Sequence, residues 1–412
     1  MRSFTSLSVA LGLCGLGGVA SANAFAIAEQ DATVTGRGNA AVATDTEPSA
    51  IFYNPAGVAI GAGIGVEIGS SIVVANGAFT PTGSTTKTST DSGAALVPSI
   101  FGTYRINELV SVGIGFDAPF GLAISWPASA PFTDVIKEQS LRTYFISPVI
   151  GLNLDKYVPG LSIGGGIDIV PATVELTQYV FFGSTQGQAH LGGTATGIGG
   201  RAGVMYSPPS VKQLSVGAMW RSSVTEDFKG TGNFDIAQPF RGQLPPDGDI
   251  STSVTLPQAV TGGVAVRPVD NFEIEADVIW MNWSKFQSLV INAPGMTTIT
   301  TTENYKDTTS VRVGLEYKLP AQHLALRAGY IYDPTPIQKE YLTAQLPDAD
   351  RNDLTAGASY RMGDYAINAS ALVVLPVSRD TAMGASTPPS HQGTYDVSAF
   401  VASLSLSGRF GI

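Results

Sequence analysis

The residue types that enzymes and metal sites use most often are sparse in this chain and widely spaced. The three histidines, His190, His323 and His391, are far apart, and no spacing typical of zinc ligands joins them. The single cysteine, Cys14, lies in an apolar run at the N-terminus, so no thiol chemistry is expected of the mature chain. A hydrolase needs a histidine near a serine on one face of the fold, and no such pair is predicted. We therefore expect no catalytic residue, no metal site, no cofactor and no enzymatic activity.

A glycine pattern near the start is the one motif that suggests a cofactor. Residues 36–41, GRGNAA, match the G-x-G-x-x-A pattern of dinucleotide-binding loops. Such a loop binds a dinucleotide only between a strand and a helix of a βαβ unit, and a segment typical of a signal peptide precedes this one. We interpret GRGNAA as a set of turns.

Residues 1–24 are predicted to be a secretory signal peptide. Arg2 is followed by an uncharged apolar run from Leu7 to Ala20, and two small-x-small sites end at Ala22 and Ala24. The mature chain should begin directly after one of these two alanines. The apolar run is therefore excluded from the reasoning about the fold.

The composition favours a membrane protein without membrane-spanning helices. Charged residues make up 14% of the 412 residues, 47 residues are glycine, and the mean hydropathy is +0.17. The formal net charge of −10 argues against nucleic-acid binding, which needs clustered lysine and arginine. Outside the signal, no run of about 18 apolar residues is free of glycine and proline. The alternatives are a large soluble β-protein and a transmembrane β-barrel, whose strands satisfy their own backbone in lipid.

Alternating polarity at every second residue dominates from Ile64 onward and predicts strands. In residues 272–280, apolar side chains alternate with three acids. Many apolar faces contain alanine, valine and glycine, with tyrosine and tryptophan near their ends, which is typical of a lipid-facing surface. The acids should point into the barrel and form structural ion pairs with arginines of following strands. The acids are Glu273, Glu275 and Asp277, and the expected partners are Arg312 and Arg327.

The lengths of the connections indicate the topology. Long and short connections alternate, which is typical of outer-membrane barrels with long outer loops and tight periplasmic turns. We therefore predict an all-β protein, a transmembrane antiparallel β-barrel of about 14 strands over residues 63–412, with both ends in the periplasm. The strands are predicted near residues 64–79, 92–106, 109–120, 141–154, 161–178, 188–206, 213–229, 250–267, 270–287, 307–319, 323–334, 351–361, 364–376 and 394–410.

Residues 25–62 lack sustained alternation and are predicted to form an N-terminal hatch inside the lumen of the barrel. They are too short for a separate domain. The uncharged run from Pro48 to Val66 contains the stretch AIFYNPAGV, with a turn signal at Asn54-Pro55. We expect burial in the lumen to account for the absence of charge, with the turn directing the chain towards the first strand.

The stretch FAIAEQDATVTGRGNAAVATDTEPSAIFYNPAG resembles the hatch of FadL-type outer-membrane transporters, a family that carries long-chain fatty acids and aromatic hydrocarbons. Asn54, Pro55 and Ala56 stand where that family has its NPA motif. Further stretches resemble the family in the same order, among them WMNWSKFQSL, RAGYIYDPTPI and PDADRNDLTAGASYR. The resemblance covers essentially the whole mature chain. It implies a monomeric, plugged barrel in the lipid of a Gram-negative outer membrane.

The resemblance also implies an opening in the barrel wall beside a kink in the third strand. The matching stretch is FDAPFGLAISW, in which Pro119, Phe120 and Gly121 are the candidate residues. Proline cannot donate a hydrogen bond to the ladder, and glycine permits an irregular backbone. The alternative interpretation is that Pro119 and Gly121 only end the strand at its loop.

Two further ligand-binding residues are implied. Phe25, at the matching hatch position, should lie near the pocket, unless it belongs to a frayed terminus. Fatty-acid members of the family hold the carboxylate with basic residues, and Lys306 is a candidate for one of them. The fifth-strand stretch DIVPATVELTQY has no basic residue, which favours a neutral substrate such as an aromatic hydrocarbon or an alkane.

The function predicted from the sequence is passive uptake of hydrophobic small molecules, through a pocket in the lumen and a lateral opening. Two alternatives stay open, a general porin for polar solutes and a non-transport barrel such as an adhesin or receptor. The predicted hatch argues against a porin, as does the absence of dense opposing charge along one constriction. A receptor role is compatible with transport.

Overall fold

The alternation that begins at Ile64 folds the chain into a closed antiparallel barrel of 14 strands, and the predicted fold is confirmed. The structure, a computed structural model, describes residues 23–183, 185–244, 246–292, 298–382 and 391–411. Among these residues no helix is long and apolar enough to cross a membrane. The predicted signal peptide lies outside them, apart from its last two residues.

The barrel strands are numbered β1 to β14 in chain order. Side chains along the long strands alternate between exposed and buried, as the two-residue period requires. The strands, some in two parts, are β1 (Ile64–Pro81), β2 (Ala95–Arg105), β3 (Val110–Asp117 and Gly121–Ser125), β4 (Glu138–Thr143 and Phe145–Asn153), β5 (Leu161–Phe182), β6 (Thr185–Tyr206), β7 (Leu214–Arg221 and Val224–Asp235), β8 (Gly248–Leu256 and Ala259–Val269), β9 (Phe272–Met281), β10 (Thr308–Leu319), β11 (Leu324–Asp333), β12 (Arg351–Met362), β13 (Tyr365–Asp380) and β14 (Gly393–Phe410).

The barrel closes because β14 pairs with β1 along its whole length. The register runs from Ile64 opposite Phe410 to Pro81 opposite Gly393. Closure pairs the first and last strands of the sheet with each other, so neither presents a free edge to a second chain along this register. The long connections gather at one end of the barrel, here called the long-loop end, and the tight turns gather at the other, the short-turn end.

Short elements lie between the strands and in the N-terminal segment. Three short strands, Thr88–Ser89, Ser288–Asn292 and Ile299–Thr302, lie in the long connections. The helical elements are α1 (Ala32–Thr35), α2 (Ala50–Tyr53) and the 3₁₀ turns Pro55–Ala59, Phe240–Gln243, Trp283–Lys285, Pro320–Gln322 and Lys339–Tyr341.

Several strands predicted as continuous are divided, for local reasons. Within β4 the break falls at Tyr144, whose N–H donates to the carbonyl oxygen of Pro171 at 3.0 Å. Pro171 has no N–H to return, so regular pairing cannot pass this point. The strand β9 ends at Met281, earlier than predicted, because Trp283 turns into the lumen and is fully buried there.

An ion-pair group attaches the N-terminal segment, residues 23–63, to the inner face of the barrel. Arg37 of this segment forms an ion pair with Glu273 of β9, with 2.9 Å between Nη1 and Oε1. The other carboxylate oxygen of Glu273 lies 2.7 Å from Arg267 of β8. Glu273 therefore links the segment to Arg267 of the neighbouring strand.

The expectation that the β9 acids pair with Arg312 and Arg327 is wrong. Glu275 and Asp277 instead accept hydrogen bonds from the backbone N–H groups of residues 41–43, at 2.7 to 3.1 Å. Arg327 pairs with an acid of β10 at 2.6 Å, and Arg312 donates to a backbone carbonyl of the N-terminal segment at 3.2 Å. The segment occupies the lumen and brings its own donors to the acids, which pattern reasoning on strands alone does not include.

The NPA stretch packs tightly against β5 and β6. The side chain of Asn54 donates to the carbonyl oxygen of Val204 at 3.1 Å. A Cβ at Gly203 would lie 2.0 Å from Asn54 Oδ1, and a Cβ at Gly164 would lie 2.2 Å from the carbonyl oxygen of Pro55. The glycines of these two strands are therefore needed for the close approach of the segment.

A fully buried ion pair lies beneath this contact. Arg201 of β6 and Asp168 of β5 approach to 2.7 Å, and both side chains have no exposed surface. Arg201 also donates to the hydroxyl of Ser147 at 2.8 Å and to the carbonyl oxygen of Ile51 at 2.6 Å. The pair thus joins three strands to α2 of the N-terminal segment.

Replacing Asp168 with alanine should destabilise the barrel by about 3–5 kcal/mol, because the variant leaves the buried Arg201 without its counter-charge. Unfolding of the purified protein in urea, followed by heat-modifiable gel mobility, measures the effect. Asp249, an exposed acid at the start of β8, serves as the matched control when replaced with alanine. Equal stability of the two variants would contradict the assignment, and Asp168→Ala with Arg201→Met should recover part of the loss.

Asn23, the first described residue, is held firmly by the barrel. Its side-chain oxygen accepts hydrogen bonds from the indole N–H of Trp283 and from the hydroxyl of Thr308, the latter at 2.9 Å. Asn23 is only 2% exposed. Its carboxamide therefore belongs to the packed interior.

These contacts distinguish the two candidate cleavage sites. Cleavage after Ala22 keeps Asn23 and its hydrogen bonds, whereas cleavage after Ala24 removes them. We expect N-terminal sequencing or intact mass of the mature protein to show a start at Asn23. A start at Phe25 would contradict this prediction.

Candidate functional site

The third strand leaves the barrel wall at residues 118–120 and pairs with the N-terminal segment. The N–H of Ile27 donates to the carbonyl oxygen of Pro119 at 2.8 Å, and the N–H of Gly121 donates to the carbonyl oxygen of Phe25 at 2.9 Å. Backbone groups released from the ladder are thus satisfied from inside the barrel, as buried polar groups require. The strand therefore continues beyond the break, so Pro119 does not simply mark its end.

Among the described residues the break leaves an interruption in the strand pairing between β2 and β3, here called the gap. Their pairing starts at Ile100 and runs towards the short-turn end. Among the described residues, the preceding part of β2, Ala95–Ser99, pairs only with β1. Pro98 lies within this stretch and has no N–H. On the side facing β3, where the stretch has no strand partner, a proline costs no ladder bond. Towards the long-loop end, the gap is bounded by a hydrogen bond of 2.8 Å from the N–H of Ser125 to Ser92 Oγ.

An apolar cavity lies in the lumen beside the second part of β3, with about 1070 Å³ of empty space when the part open to solvent is included. Its walls come from β3 to β8 and from the long connections, so it is situated towards the long-loop end. Apolar and aromatic side chains make up most of the surface, as in sites for small apolar ligands. The lining side chains include Phe25, Leu122, Leu176, Phe228, Ile291 and Tyr305.

The charge lining the apolar cavity is acidic. Glu175 and Glu303 line it, and among the described residues no lysine or arginine does. Glu303 lies in the long connection before β10, where burial raises its pKa to about 7 although a hydrogen bond with Tyr305 acts in the opposite direction. Lys306, the candidate carboxylate ligand, is exposed and lies outside the cavity wall. Its neighbour Tyr305 faces the cavity instead.

An aromatic cluster of Phe25, Phe120, Trp283 and Phe286 lies at the break. The ring of Phe25 packs edge-on against Trp283 at 4.8 Å and against Phe120 and Phe286, each at 6.2 Å between centroids. Such edge-to-face contacts are favourable beyond the area they bury. Phe25 is 4% exposed, so it is packed into the site and does not belong to a frayed terminus.

A second cavity, here called the inner cavity, lies on the other side of the aromatic cluster. It lies between the N-terminal segment and strands β7 to β12, with about 800 Å³ of empty space when the part open to solvent is included. Pro119 lines the inner cavity whereas Leu122, three residues later, lines the apolar cavity. The break in β3 therefore separates the two. Both apolar and charged side chains line the inner cavity, among them Met219, Arg221, Ile279, Ile331 and Arg351.

A third, polar cavity opens at the short-turn end. Charged side chains of the N-terminal segment and the strand ends line it, and several form ion pairs. Arg409 of β14 donates to the carbonyl oxygen of Thr46 at 2.8 Å and approaches Glu47 to 3.2 Å. The N-terminal segment is thus fastened across this end of the lumen by charge.

The residues predicted from the sequence fall into separate places. Phe25, Phe120 and Gly121 meet at the break in β3, next to the apolar cavity. Asn54, Pro55 and Ala56 are buried against β5 and β6 and line neither the apolar nor the inner cavity. Their contacts anchor the N-terminal segment.

Sequence reasoning missed several residues of the site. Phe228 could have been found, because it follows Val224 and Glu226 on the inward face of β7. Trp283 and Glu303 lie in irregular stretches between β9 and β10, where a two-residue period does not determine which side chains face inward.

The chain matches the family described as "Outer membrane protein transport protein (OMPP1/FadL/TodX)" over residues 14–410. The chain belongs to this family. Membership places the protein in the outer membrane and identifies it as a transport protein. The FadL/TodX resemblance inferred from the sequence is thereby confirmed.

Relatives of known sequence agree at low identity. The 47 kDa outer membrane protein of Pasteurella multocida (strain Pm70) is 26% identical over 387 residues, which cover 87% of this chain and 88% of that protein. The long-chain fatty acid transport protein of Escherichia coli (strain K12) is 25% identical over 291 residues, 68% of this chain. The match spans 58% of the length of the Escherichia coli protein.

Solved structures share the fold. A Pseudomonas aeruginosa FadL homologue superposes with a TM-score of 0.83 at 19% identity, over 94% of this chain and 100% of that one. The Pseudomonas putida toluene transporter TodX gives a TM-score of 0.74 at 19% identity, with coverage of 94% and 100%. The likeness establishes the FadL/TodX barrel architecture.

Glu303 should make the binding of a neutral apolar ligand depend on pH. Below its pKa of about 7 the carboxyl is neutral, and above it the ligand must desolvate a charge, so affinity for toluene should fall as pH rises through that value. Because burial raises the pKa of Glu303 in the folded state from 4.5 to about 7, the stability of the fold should fall as pH rises between these two values and change little above them. The variant Glu303→Gln should keep the low-pH affinity throughout.

Calorimetric titration of the purified protein in detergent measures this dependence. Glu108, an exposed acid in the tight turn between β2 and β3, provides a control as Glu108→Gln, which should behave like the wild type. An affinity of the wild-type protein that does not change with pH would contradict the role of Glu303.

Proposed function

We propose that this FadL/TodX-family protein is a channel for the passive uptake of hydrophobic small molecules. A ligand enters between the long connections, binds in the apolar cavity, and leaves sideways through the gap between β2 and β3. The observation that carries the proposal is the placement of the gap beside the cavity. Leu122 belongs both to the cavity wall and to the part of β3 that borders the gap.

Binding in the apolar cavity requires no chemical step and no cofactor. Burial of apolar area supplies about 25 cal/mol per Å², so a ligand that buries roughly 200 Å² gains about 5 kcal/mol before the costs of association. The concentration gradient of the ligand, together with its removal on the inner side, sets the direction of net transport. The rate of transport through such a channel should saturate with ligand concentration and should not require cellular energy.

Residues 25–62 act in this proposal as a hatch that blocks the axial route. A hydrophobic compound moving along the axis would have to displace the Arg37–Glu273 ion pair and pass the charged cavity at the short-turn end. Separating buried ion pairs is costly, whereas the gap leads from apolar side chains directly to membrane lipid. One barrel contains the whole route, so a monomer is sufficient.

The ligand class is supported by two observations. The Escherichia coli relative is named as a long-chain fatty acid transport protein, and structural relatives from Pseudomonas putida and Ralstonia pickettii are named as toluene transporters. The apolar cavity of this chain presents acids and, among the described residues, no base. It therefore suits a neutral compound or the apolar part of an acid. A route for polar solutes is disfavoured by the same lining.

Uptake by a strain that lacks the chromosomal gene tests the proposal. Expression of this protein should restore uptake of labelled toluene or oleate and should leave uptake of a small sugar unchanged, because the apolar cavity offers a sugar few hydrogen bonds. An empty vector and a vector that expresses an unrelated outer-membrane barrel serve as controls. Restored sugar uptake without hydrophobic uptake would refute the proposal in favour of a porin.

The lateral exit is tested at the break itself. Changing Pro119 and Gly121 together to valine should favour continuous pairing of β3 and slow hydrophobic uptake several-fold. A valine at Gly121 meets the side chain of Ile27 at about 3.1 Å, so the segment must shift slightly. Pro148, which lies within the regular second part of β4, is the matched control as Pro148→Val. Unchanged uptake by the double variant would leave Pro119 and Gly121 without a transport role.

A further inference from the structure

Arg221 is a buried cation that has no hydrogen-bond acceptor in the part of the chain that the structure describes. It ends the first part of β7, points into the inner cavity and is 8% exposed. Among the described residues its guanidinium forms no hydrogen bond and no ion pair, and its Nε is fully buried. Two other arginines of the same cavity are engaged, since Arg312 donates to a backbone carbonyl at 3.2 Å and Arg351 lies 3.3 Å from Asp353. Arg221 therefore differs from its neighbours.

Three aromatic rings surround Arg221. The guanidinium carbon lies 5.3 Å from the ring centre of Phe120, 5.4 Å from that of Phe52 and 5.8 Å from that of Phe145. Cation–π contacts of this length stabilise the charge but do not occupy its N–H groups. A buried guanidinium with open donors carries a desolvation cost that the rings and the distant acids offset only in part, and an anionic ligand would offset more of it. Its planar fork matches the two oxygens of a carboxylate.

The acids near Arg221 do not occupy these donors. Asp168 is held by Arg201 at 2.7 Å. Asp117 acts on Arg221 through space, and among the described residues no acid lies within ion-pair distance of it. The acids that line the inner cavity accept hydrogen bonds from other groups, and they are Glu29, Asp277 and Asp333. An anion from outside the chain is therefore what Arg221 lacks.

The rest of the inner cavity provides an apolar surface next to this charge. Ile27, Met219, Ile279 and Ile331 line it together with Arg221. A ligand that fits both parts carries one carboxylate and an apolar group. An inorganic anion would leave this apolar surface without a partner.

We propose that Arg221 binds the carboxylate of a hydrophobic monocarboxylic acid in the inner cavity. This inference rests on the proposed uptake function and adds a second binding position to it. Because Phe120 belongs both to the break in β3 and to the rings around Arg221, an acid held there lies at the point where the route turns towards the gap. The apolar cavity selects for hydrophobicity, and Arg221 selects for the acid.

Binding of decanoate and 1-decanol to the purified full-length protein in detergent tests the inference. The two probes share a ten-carbon chain, and decanoate is ionised at neutral pH. The variant Arg221→Met keeps a long side chain between the three rings and should weaken decanoate binding roughly ten- to a hundredfold, with 1-decanol changed less than about twofold. Arg221→Lys should fall between, since it keeps the charge and loses the fork. Arg361→Met, at an exposed arginine of β12, is the matched control and should bind as the wild type.

Each result supports or overturns the inference. Decanoate affinity that survives Arg221→Met overturns it, and equal losses for both probes show that Arg221 only packs between the rings. Heat-modifiable gel mobility checks that each variant is folded. If Arg221→Met does not fold, Arg221→Lys decides the question, because it must weaken decanoate binding more than 1-decanol binding. Wild-type protein that binds 1-decanol and toluene but not decanoate refutes only the inference. Failure to bind or take up any of the probes refutes the proposed function itself.

Discussion

The backbone hydrogen bonds between Phe25, Ile27 and the break in β3 are the interaction on which the rest of the site depends. A strand can leave a barrel wall only if its freed N–H and C=O groups find partners, since none exist in lipid. The N-terminal segment supplies partners at 2.8 and 2.9 Å for the carbonyl oxygen of Pro119 and the N–H of Gly121, so β3 can leave the ladder at this point with these two backbone groups paired. The same contact brings the ring of Phe25 against Phe120 and Trp283, between the two cavities.

That interaction needs a segment held at a defined position, and buried charge provides it. Arg37 is fixed by Glu273, and α2 is fixed through its carbonyl contact with Arg201, which in turn pairs with Asp168. Charged contacts of this kind add little net stability compared with apolar packing, but they are specific in direction. The lumen is therefore polar where the segment is anchored and apolar where a ligand can bind. In the proposed function, this division of polarity favours a lateral route over an axial one.

Much of the architecture could be predicted from the sequence. The ends of β1 and β14 were located within a few residues, because a strand with one lipid face and one inner face must alternate along its length. The stretch FDAPFGLAISW was singled out by the family resemblance, and β3 is divided within it, between Asp117 and Gly121. The acids of β9 were correctly assigned to the inner face. Their partners were not, because the competing donors lie more than two hundred residues away in sequence.

By itself, then, the sequence determined the barrel and its strand count, which follow from local residue patterns, whereas the position of the break was implied by the family resemblance. Only the tertiary structure decided what the break does, because a proline and a glycine end a strand or divert it according to what lies opposite. It also decided that Tyr305 faces the apolar cavity and Lys306 does not, since both lie in a connection without a fixed period. Only the tertiary structure shows, likewise, that Arg221 has no hydrogen-bond or ion-pair partner among the described residues. Whether a charged side chain has a partner depends on residues that are distant in sequence and that folding brings close, so a local sequence pattern cannot predict it.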